Sequence, residues 1–229
     1  MPTVLITGAN RGIGLSLARL LLERGDSVIA TARNPDQAVA LRGLAARDLP
    51  LDIRTLDVRD AAACDALAGE LSGHPIDVVV ANAAFLNSYS GIDHPGHDAD
   101  AWADVLMTNV AGAYFTARAF RSHLAKTRGK LVFISSIMGA SARPRGGAYP
   151  YRCSKAALNN LAANLALELE ADGIAVTALD PGWVKTEMGG TGAEITPDES
   201  AAGLARRIDA LTLDRTGRFE NYLGETLPF

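Results

Sequence analysis

Short apolar runs rich in β-prone residues alternate along this chain with longer segments whose apolar residues recur at helical spacing. The apolar runs are continuous rather than alternating, which is typical of strands covered on both faces. Six runs are predicted as strands, at residues 4–7, 27–31, 51–56, 76–81, 130–135 and 174–179. Five segments between and after them are predicted as helices, at residues 13–24, 35–47, 61–71, 99–126 and 151–172. The apolar tail 218–229 is predicted to supply a last strand and a docked end.

This alternation of strands and helices predicts an α/β fold, a doubly wound parallel sheet of the Rossmann type with helices on both faces. No linker composition and no repeat interrupts the 229 residues, so we expect a single domain over 1–229. The richest loop signals follow strand ends, where open α/β sheets bind ligands. We therefore expect 85–98 and 187–198 to be substrate loops, with 140–150 as a further pocket wall.

Composition narrows the classes of partner. The chain has 22 basic and 26 acidic side chains, which argues against nucleic acid because phosphate backbones favour a basic excess. No apolar run reaches the roughly 20 residues that span a bilayer, and no positive region precedes the short apolar stretch 4–6 as in a signal peptide. Cys64 and Cys153 are both predicted to be small buried residues of a reducing compartment. We expect a soluble, cytoplasmic protein without nucleic-acid or membrane partners.

The first predicted strand leads into a glycine-rich turn, Gly8-Ala9-Asn10-Arg11-Gly12-Ile13-Gly14, and a helix follows. Glycines allow a tight turn and close backbone approach to a pyrophosphate, and free N–H groups at the helix start face the anion. A glycine turn that binds no ligand could have the same residues, but the position of this turn between a strand and a helix favours phosphate binding. The candidate cofactor-binding residues here are Gly8, Asn10, Arg11, Gly12, Ile13 and Gly14.

Tyr151 and Lys155 are four residues apart in a predicted helix, so their side chains share one face. An ammonium beside a phenol lowers the phenol pKa from its ordinary value of about 10, which suits proton donation to a developing alkoxide. The pair alone also fits a packed tyrosine and a solvated lysine. Its position, shortly after a strand that ends in Ser135-Ser136, favours the catalytic interpretation.

With Thr7 before it, the spacing Gly-x-x-x-Gly-x-Gly, joined to Tyr151-x-x-x-Lys155, resembles the short-chain dehydrogenase/reductase family over residues 3 to about 190. The resemblance implies hydride transfer between a nicotinamide and a carbonyl or alcohol carbon, with Tyr151 as acid/base. It implies that Lys155 lowers the Tyr151 pKa and binds the ribose, and that Ser136 orients the substrate oxygen. Asn109 then shapes its helix and holds a water that relays protons to Lys155, although a plain mid-helix asparagine is the alternative.

The resemblance also implies further cofactor contacts. Asp57, followed by Val58, matches the residue that bonds the adenine amino group. The family usually shows Asn-Asn-Ala-Gly where this chain has Ala81-Asn82-Ala83-Ala84, so Ala81 replaces the first asparagine and Ala84 the glycine. The cofactor-binding residues implied in this way are Asp57, Val58, Asn82, Tyr151, Lys155, Pro181, Val184 and Thr186. The stretches 33–35, 135–139, 151–159, 181–190 and 221–228 are similar to the C-factor and Sniffer-like carbonyl reductase branch of the family.

The end of the second strand indicates which nicotinamide binds. It continues as Thr31-Ala32-Arg33-Asn34, without the carboxylate that binds the ribose 2′-hydroxyl of NAD. Arg33 can fork onto a 2′-phosphate, and Arg11 supplies a second cation. The sequence therefore predicts NADP(H).

Other interpretations were weighed. His94 and His97 beside Asp93 and Asp98 would suit a metal, but loop histidines are usually solvated, and we expect none. An NADP(H)-binding redox sensor or cell-signalling protein with little turnover would keep the glycine turn and lose catalytic groups. All four candidate catalytic residues are present here, which favours an enzyme.

Two expectations concern assembly and movement. The family commonly pairs its two long helices, here 99–126 and 151–172, so we expect a homodimer or homotetramer. Small residues that would permit close approach are Ala156, Ala157, Ala162, Ala163 and Ala166. The glycine-rich segment 187–198 has little apolar periodicity, so we expect few anchoring contacts and a lid that closes over cofactor and substrate.

Overall fold

A computed structural model of the chain describes residues 1–87 and 91–229, and within them seven strands form one parallel sheet. The order across the sheet is β3-β2-β1-β4-β5-β6-β7. The strands are β1 (Thr3–Ile6), β2 (Ser27–Ala32), β3 (Leu51–Thr55), β4 (Val78–Ala81), β5 (Lys130–Ile134), β6 (Ala175–Asp180) and β7 (Arg218–Asn221). The six predicted strands and the strand in the tail are confirmed, with ends shifted by at most two residues. The Phe229 ring packs 6.0 Å from that of Phe219, so the tail docks as expected.

Helices cover both faces of the sheet. They are α1 (Gly12–Glu23), α2 (Val39–Ala45), α3 (Ala61–Glu70), α4 (Ala99–Leu106), α5 (Gly112–Thr127), α6 (Tyr149–Leu169) and α7 (Pro197–Ala210). Short 3-10 turns lie at Pro35–Gln37, Pro95–His97, Ile137–Gly139, Glu170–Asp172 and Leu213–Arg215. The predicted fold, a doubly wound parallel sheet of the Rossmann type, is confirmed.

Two predicted helices differ from the structure, and a further helix was not predicted. The helix expected over 99–126 is divided into α4 and α5 by a π-helical turn at Met107–Ala111. The helix expected over 35–47 shortens to a 3-10 turn followed by α2. Helix α7 was missed, although its start carries a local signal. Thr196 and Glu199 form a capping box around Pro197, and each side chain bonds the other's backbone N–H.

Two hydrophobic clusters lie on opposite faces of the sheet. One packs side chains of α3, α5 and α6 against it, and the other packs α1, α2 and α7. Ala162 and Ala166 belong to the first cluster and are each 2% exposed, so these two cannot form the predicted contact between copies of the chain. No helix in the described ranges has both the length and the apolarity needed to cross a bilayer. The carboxyl ends of β1, β2, β4, β5 and β6 converge at one edge, where the candidate residues lie.

Candidate active site

The glycine turn joins β1 to α1 with backbone that only glycine adopts easily. Gly8 and Gly12 have φ angles of +65° and +56°. A Cβ on Gly14 would lie 2.7 Å from the Gly8 carbonyl oxygen, so the turn has no room for a side chain there. Arg11 occupies the N-cap of α1 and makes no side-chain capping bond, so its side chain satisfies none of the N–H groups of the first turn. This cradle fits a pyrophosphate.

Asn82 holds the shape of this turn from the end of β4. Its side-chain amide donates to the carbonyl oxygens of Thr7 at 2.9 Å and Gly8 at 3.1 Å. The Thr7 hydroxyl in turn accepts from the backbone N–H groups of Asn82 and Ala83. The Asn82 amide nitrogen is therefore used inside the protein, and its contribution to a cofactor site is to fix the glycine turn.

Tyr151 and Lys155 lie on the inward face of α6, as the spacing predicts. They are 8% and 2% exposed, and the Lys155 Nζ lies 5.5 Å from the centroid of the Tyr151 ring. The ammonium donates to the Ile134 carbonyl oxygen at 2.7 Å. Burial lowers the pKa of Lys155 to about 7, and the Asp180 charge opposes that fall. An ammonium with little exposure to solvent is thus held beside the phenol.

Cys153 lies on the same helix but does not share this environment. The prediction that both cysteines are buried holds for Cys64 and is wrong for Cys153, which is exposed. On α6, Tyr151, Ser154 and Lys155 all face inward. Cys153 therefore points to the opposite, outward side of the helix, because successive helical residues are rotated by about 100°.

Ser136 follows β5 and begins the 3-10 turn Ile137–Gly139. Its hydroxyl accepts from the Met138 N–H at 3.1 Å. Gly139 closes the turn against α6, where a Cβ would lie 2.5 Å from the Lys155 carbonyl carbon. The turn that carries Ser136 therefore rests directly on the backbone of the helix that carries Lys155. The Ser135 hydroxyl, next to Ser136, donates to the Asn159 side chain on α6.

Asn109 lies in the π-helical turn and is 1% exposed. Its side-chain amide bonds both backbone groups of Phe85, accepting from the N–H at 2.7 Å and donating to the carbonyl at 2.9 Å. It also donates to the Ser154 hydroxyl, which donates to the Tyr151 carbonyl oxygen. Asn109 thus connects the start of loop 85–98 to α6. The sequence analysis missed Ser154, whose place between Tyr151 and Lys155 was the available signal.

Residues 181–186 follow β6 and lie across from the glycine turn. A Cβ on Gly12 would lie 3.2 Å from the Thr186 Cγ2, so the two loops are close. Val184 is 3% exposed and forms an isolated parallel bridge with Ile195. The structure therefore brings Thr186, one of the predicted cofactor-binding residues, next to the glycine turn, and Val184 lies two residues before it.

The segment 187–198 is better anchored than the sequence suggested. The Lys185 N–H donates to the Ile195 carbonyl at 2.8 Å, and the Trp183 indole N–H donates to the Gly189 carbonyl at 2.8 Å. Ion pairs connect both ends of the segment to α1 and its N-cap, one between Arg11 and Glu187 and one between Arg19 and Asp198. The premise of few anchoring contacts is wrong. Movement of this segment remains a prediction.

The residues predicted to select the cofactor lie at neighbouring strand ends. Arg33 is exposed at the end of β2, and Asp57 follows β3. The Arg59 guanidinium donates to both Asp57 oxygens and holds the pKa of that carboxyl below its usual value. Val58 packs against Gly112, since a Cβ on Gly112 would lie 2.7 Å from the Val58 Cγ2. Arg11, the second predicted phosphate ligand, pairs with Glu187 instead.

Two further features concern titratable groups. Asp180, which the sequence analysis missed, ends β6 and is 6% exposed. Its carboxylate accepts from the N–H groups of Ile137 at 2.8 Å and Gly182 at 3.3 Å.

The His94 and His97 rings lie 5.7 Å apart, but no group of three metal-ligating side chains converges anywhere in residues 1–87 and 91–229. Residues 88–90 of the predicted substrate loop lie outside the described residues.

The sheet, the glycine turn and the buried Tyr151–Lys155 pair are together typical of an oxidoreductase with a Rossmann fold. The family model for short chain dehydrogenase matches residues 2–195. The chain therefore belongs to the short-chain dehydrogenase family, and the predicted resemblance is confirmed.

Known relatives cover nearly the whole chain. The 1-hydroxy-2-glutathionyl-2-methyl-3-butene dehydrogenase of Rhodococcus sp. (strain AD45) is 34% identical over 99% of both chains. The carbonyl reductase Sniffer of D. melanogaster has a similar structure, with a TM-score of 0.93 and 31% identity over 100% of both chains. The NADPH-bound carbonyl reductase from chicken fatty liver has a TM-score of 0.91 and 32% identity over 100% of this chain and 99% of its own. The C-signal protein of Myxococcus xanthus is 33% identical over 72% of this chain and 99% of its own.

Proposed function

We propose that this protein is an NADP(H)-dependent carbonyl reductase that transfers a hydride reversibly between the nicotinamide and a carbonyl or alcohol carbon. The observation that carries the proposal is the buried Lys155 ammonium, 5.5 Å from the Tyr151 ring centroid, beside the turn that begins at Ser136. A phenol held next to a buried cation is suited to give up and regain a proton at neutral pH. The likeness to an NADPH-bound carbonyl reductase supports the same class of reaction.

The chain's own residues suit such a cofactor along the whole edge of the sheet. The turn from Gly8 to Gly14 would hold the pyrophosphate, because the start of α1 has no side-chain cap and the glycines leave room. Arg33 would bind the 2′-phosphate, since its guanidinium is exposed at the end of β2. The remaining positions are Asp57 and Val58 for the adenine and Pro181, Val184 and Thr186 toward the nicotinamide, while Asn82 would keep the glycine turn in shape. When bound, the cofactor supplies or accepts the hydride.

Each catalytic side chain has one task in the reduction. The Tyr151 hydroxyl gives its proton to the substrate oxygen. Lys155 stabilises the phenolate that remains, because an opposite charge at short range favours the ionised form. The Ser136 hydroxyl donates to the substrate oxygen and orients it. Asn109 keeps Phe85, at the start of the first loop, and α6 in fixed positions through its bonds to Phe85 and Ser154.

We further propose that residues 1–229 act as one NADP-binding domain whose substrate pocket is formed by 85–98, 140–150 and 187–198. The start of the first loop is fixed by Asn109, and the third loop is anchored to the strand-end segment 183–186. All three loops follow strand ends at the edge that carries Tyr151. Their composition is mainly small and polar, which suits a small-molecule carbonyl or alcohol.

Tyr151→Phe tests the chemistry, because it removes the proton donor and keeps the ring. NADPH oxidation with a panel of aldehydes, ketones and quinones should show kcat reduced by about 10²–10⁴-fold. The dissociation constant for NADPH should change little. Tyr114→Phe is the matched control, since Tyr114 is 42% exposed on α5, and it should keep wild-type turnover. Near wild-type turnover in Tyr151→Phe would show that the acid/base assignment is wrong.

A second candidate function is an NADP(H)-binding sensor or cell-signalling protein with little turnover. The observation in its favour is the similarity to the C-signal protein over 72% of the chain. The same assay separates the two candidates. Tight NADPH binding without turnover on any substrate of the panel would favour the sensor, whereas turnover that depends on Tyr151 favours the enzyme.

A further inference from the structure

Asp180 is a buried carboxylate that joins two loops of the candidate active site. One oxygen accepts from the Ile137 N–H at 2.8 Å, in the turn that begins at Ser136. The other accepts from the Gly182 N–H at 3.3 Å, in the turn that leads to Val184. One side chain thus bonds the loop proposed to orient the substrate and the loop proposed to lie along the nicotinamide.

The same carboxylate belongs to β6, the strand next to the one that binds the buried end of Lys155. The Lys155 Nζ donates to the Ile134 carbonyl oxygen, and Ile134 pairs with Leu179, the residue before Asp180. Both side chains are inaccessible to solvent, at 2% and 6% exposure. Burying a lone ammonium costs several kcal/mol unless a countercharge accompanies it. The negative charge of Asp180 opposes the effect of burial, which lowers the pKa of Lys155 to about 7.

Among the described residues, the elements around Asp180 offer no other unpaired carboxylate that could balance the charge of the Lys155 ammonium. On β7, the Glu220 carboxylate pairs with Arg215 and Arg218, so its charge is already balanced. Polar groups beside Asp180 and its turn are uncharged: Asn221 opposite Asp180 on β7, Tyr222 against Gly182, and Ser200 of α7, which donates to the Pro181 carbonyl. Burial raises the pKa of Asp180 itself, while the N–H donors and Lys155 oppose that rise.

We propose that Asp180 is a positioning residue of the active site, which fixes the Ser136 turn against the 181–182 turn and provides the countercharge of the Lys155 ammonium. This rests on the proposed function for its catalytic consequence, but the charge coupling is a property of the protein alone. Without the carboxylate, Lys155 loses its proton at lower pH. The Tyr151 phenolate is then less well stabilised in the range where the enzyme works.

Asp180→Asn tests the coupling, because asparagine keeps an acceptor for the Ile137 N–H and removes the charge. The chain has four lysines, Lys126, Lys130, Lys155 and Lys185, so NMR of protein labelled at the lysine Cε resolves each titration. The Lys155 signal is identified by its absence in Lys155→Met. We expect its midpoint in Asp180→Asn to fall by about one pH unit or more relative to the wild type.

The matched control is Asp26→Asn, which also removes a buried carboxylate, 5% exposed and paired with Arg24. It should leave the Lys155 midpoint unchanged, because Asp26 lies at the other end of the sheet, before β2. The reverse perturbation covers the case in which Asp180→Asn does not fold. In Lys155→Met the Asp180 carboxyl should titrate at higher pH than in the wild type, by the same coupling. An unchanged midpoint in either variant overturns the proposal.

Turnover supplies a second readout that separates positioning from the proposed chemistry. In Asp180→Asn the high-pH limb of the kcat profile for NADPH-dependent reduction should move to lower pH, together with the Lys155 midpoint. If kcat fell equally at all pH values and the high-pH limb of its profile did not move, Asp180 would have only a structural role. That result would overturn the proposal that Asp180 provides the countercharge of Lys155. A wild-type protein without turnover would refute the proposed function, while the lysine titration would still decide the coupling.

Discussion

Gly139→Ala places a methyl group where the 3-10 turn that begins at Ser136 rests on α6. The new Cβ would lie 2.5 Å from the Lys155 carbonyl carbon, 2.7 Å from the Ala156 nitrogen and 2.8 Å from the Lys155 Cβ. These are backbone atoms and the base of a buried side chain, so none of them can rotate away. The turn must therefore move off the helix.

The required displacement sets the size of the effect. Ordinary contact begins at 3.4 Å, so the turn must shift by about 0.9 Å relative to Lys155. Overpacking of this kind costs about 1–3 kcal/mol of unfolding free energy. For a chain of this length that lowers Tm by about 2–12 °C. A misplacement of about 1 Å between reacting groups can reduce the rate about 10²-fold, so kcat should fall far more than the folded population does.

Thermal unfolding followed by circular dichroism and NADPH oxidation with one good carbonyl substrate measure both quantities. Gly69→Ala in α3 is the matched control, because a Cβ there meets nothing within 4 Å. It should raise unfolding free energy by up to about 1 kcal/mol through helix propensity and leave kcat unchanged. If Gly139→Ala kept the wild-type Tm and kcat, the close packing of the Ser136 turn on α6 would be refuted.

Three further outcomes test cofactor choice, movement and assembly. Arg33→Ala should reduce the preference for NADPH over NADH by about tenfold or more, because a charge-assisted bond is worth about 1.5–3 kcal/mol; equal dissociation constants in the native protein would contradict it. Amide exchange in 188–197 should slow markedly on adding NADP, and Glu187→Gln should speed it in the free protein by removing the ion pair to Arg11; exchange unaffected by bound NADP would leave an ordinary surface loop. Light scattering should give two or four times the 24.0 kDa chain mass at micromolar concentration, and a value near that mass would exclude the dimer.

Local sequence patterns were enough to predict the strands of the sheet, the Tyr151–Lys155 pair and the glycine turn. The strand ends were predicted to within two residues because most of the strands are continuous buried runs of β-prone residues, although β3, at the edge of the sheet, is only half-buried. Tyr151 and Lys155 could be placed on one face because the helical repeat is a property of the backbone. The glycine turn could be recognised because its requirement for positive φ and for room is also local.

Predictions that depended on a helix's surroundings were less accurate. The π-helical turn at Met107–Ala111 interrupts a segment of good helix formers, and the Asn109 side chain within it bonds the distant Phe85 backbone. Cys153 and Ala162 were assigned to the wrong side of α6. Their exposure depends on which face of the helix meets the sheet, which the residue types alone did not indicate.

The sequence by itself determined the fold class, the phosphate-binding turn and the Tyr151–Lys155 pair, because each arises from residues within about one helical turn or one strand. Only the tertiary structure decided how the glycine turn meets Thr186, how Arg11 reaches Glu187, and how Asp180 comes to bond the turn that begins at Ser136. These contacts join segments that are far apart in the chain and meet only where the parallel strands end. Their free energy comes from charges and backbone groups that become neighbours after the sheet has formed, so no local pattern of residues records them.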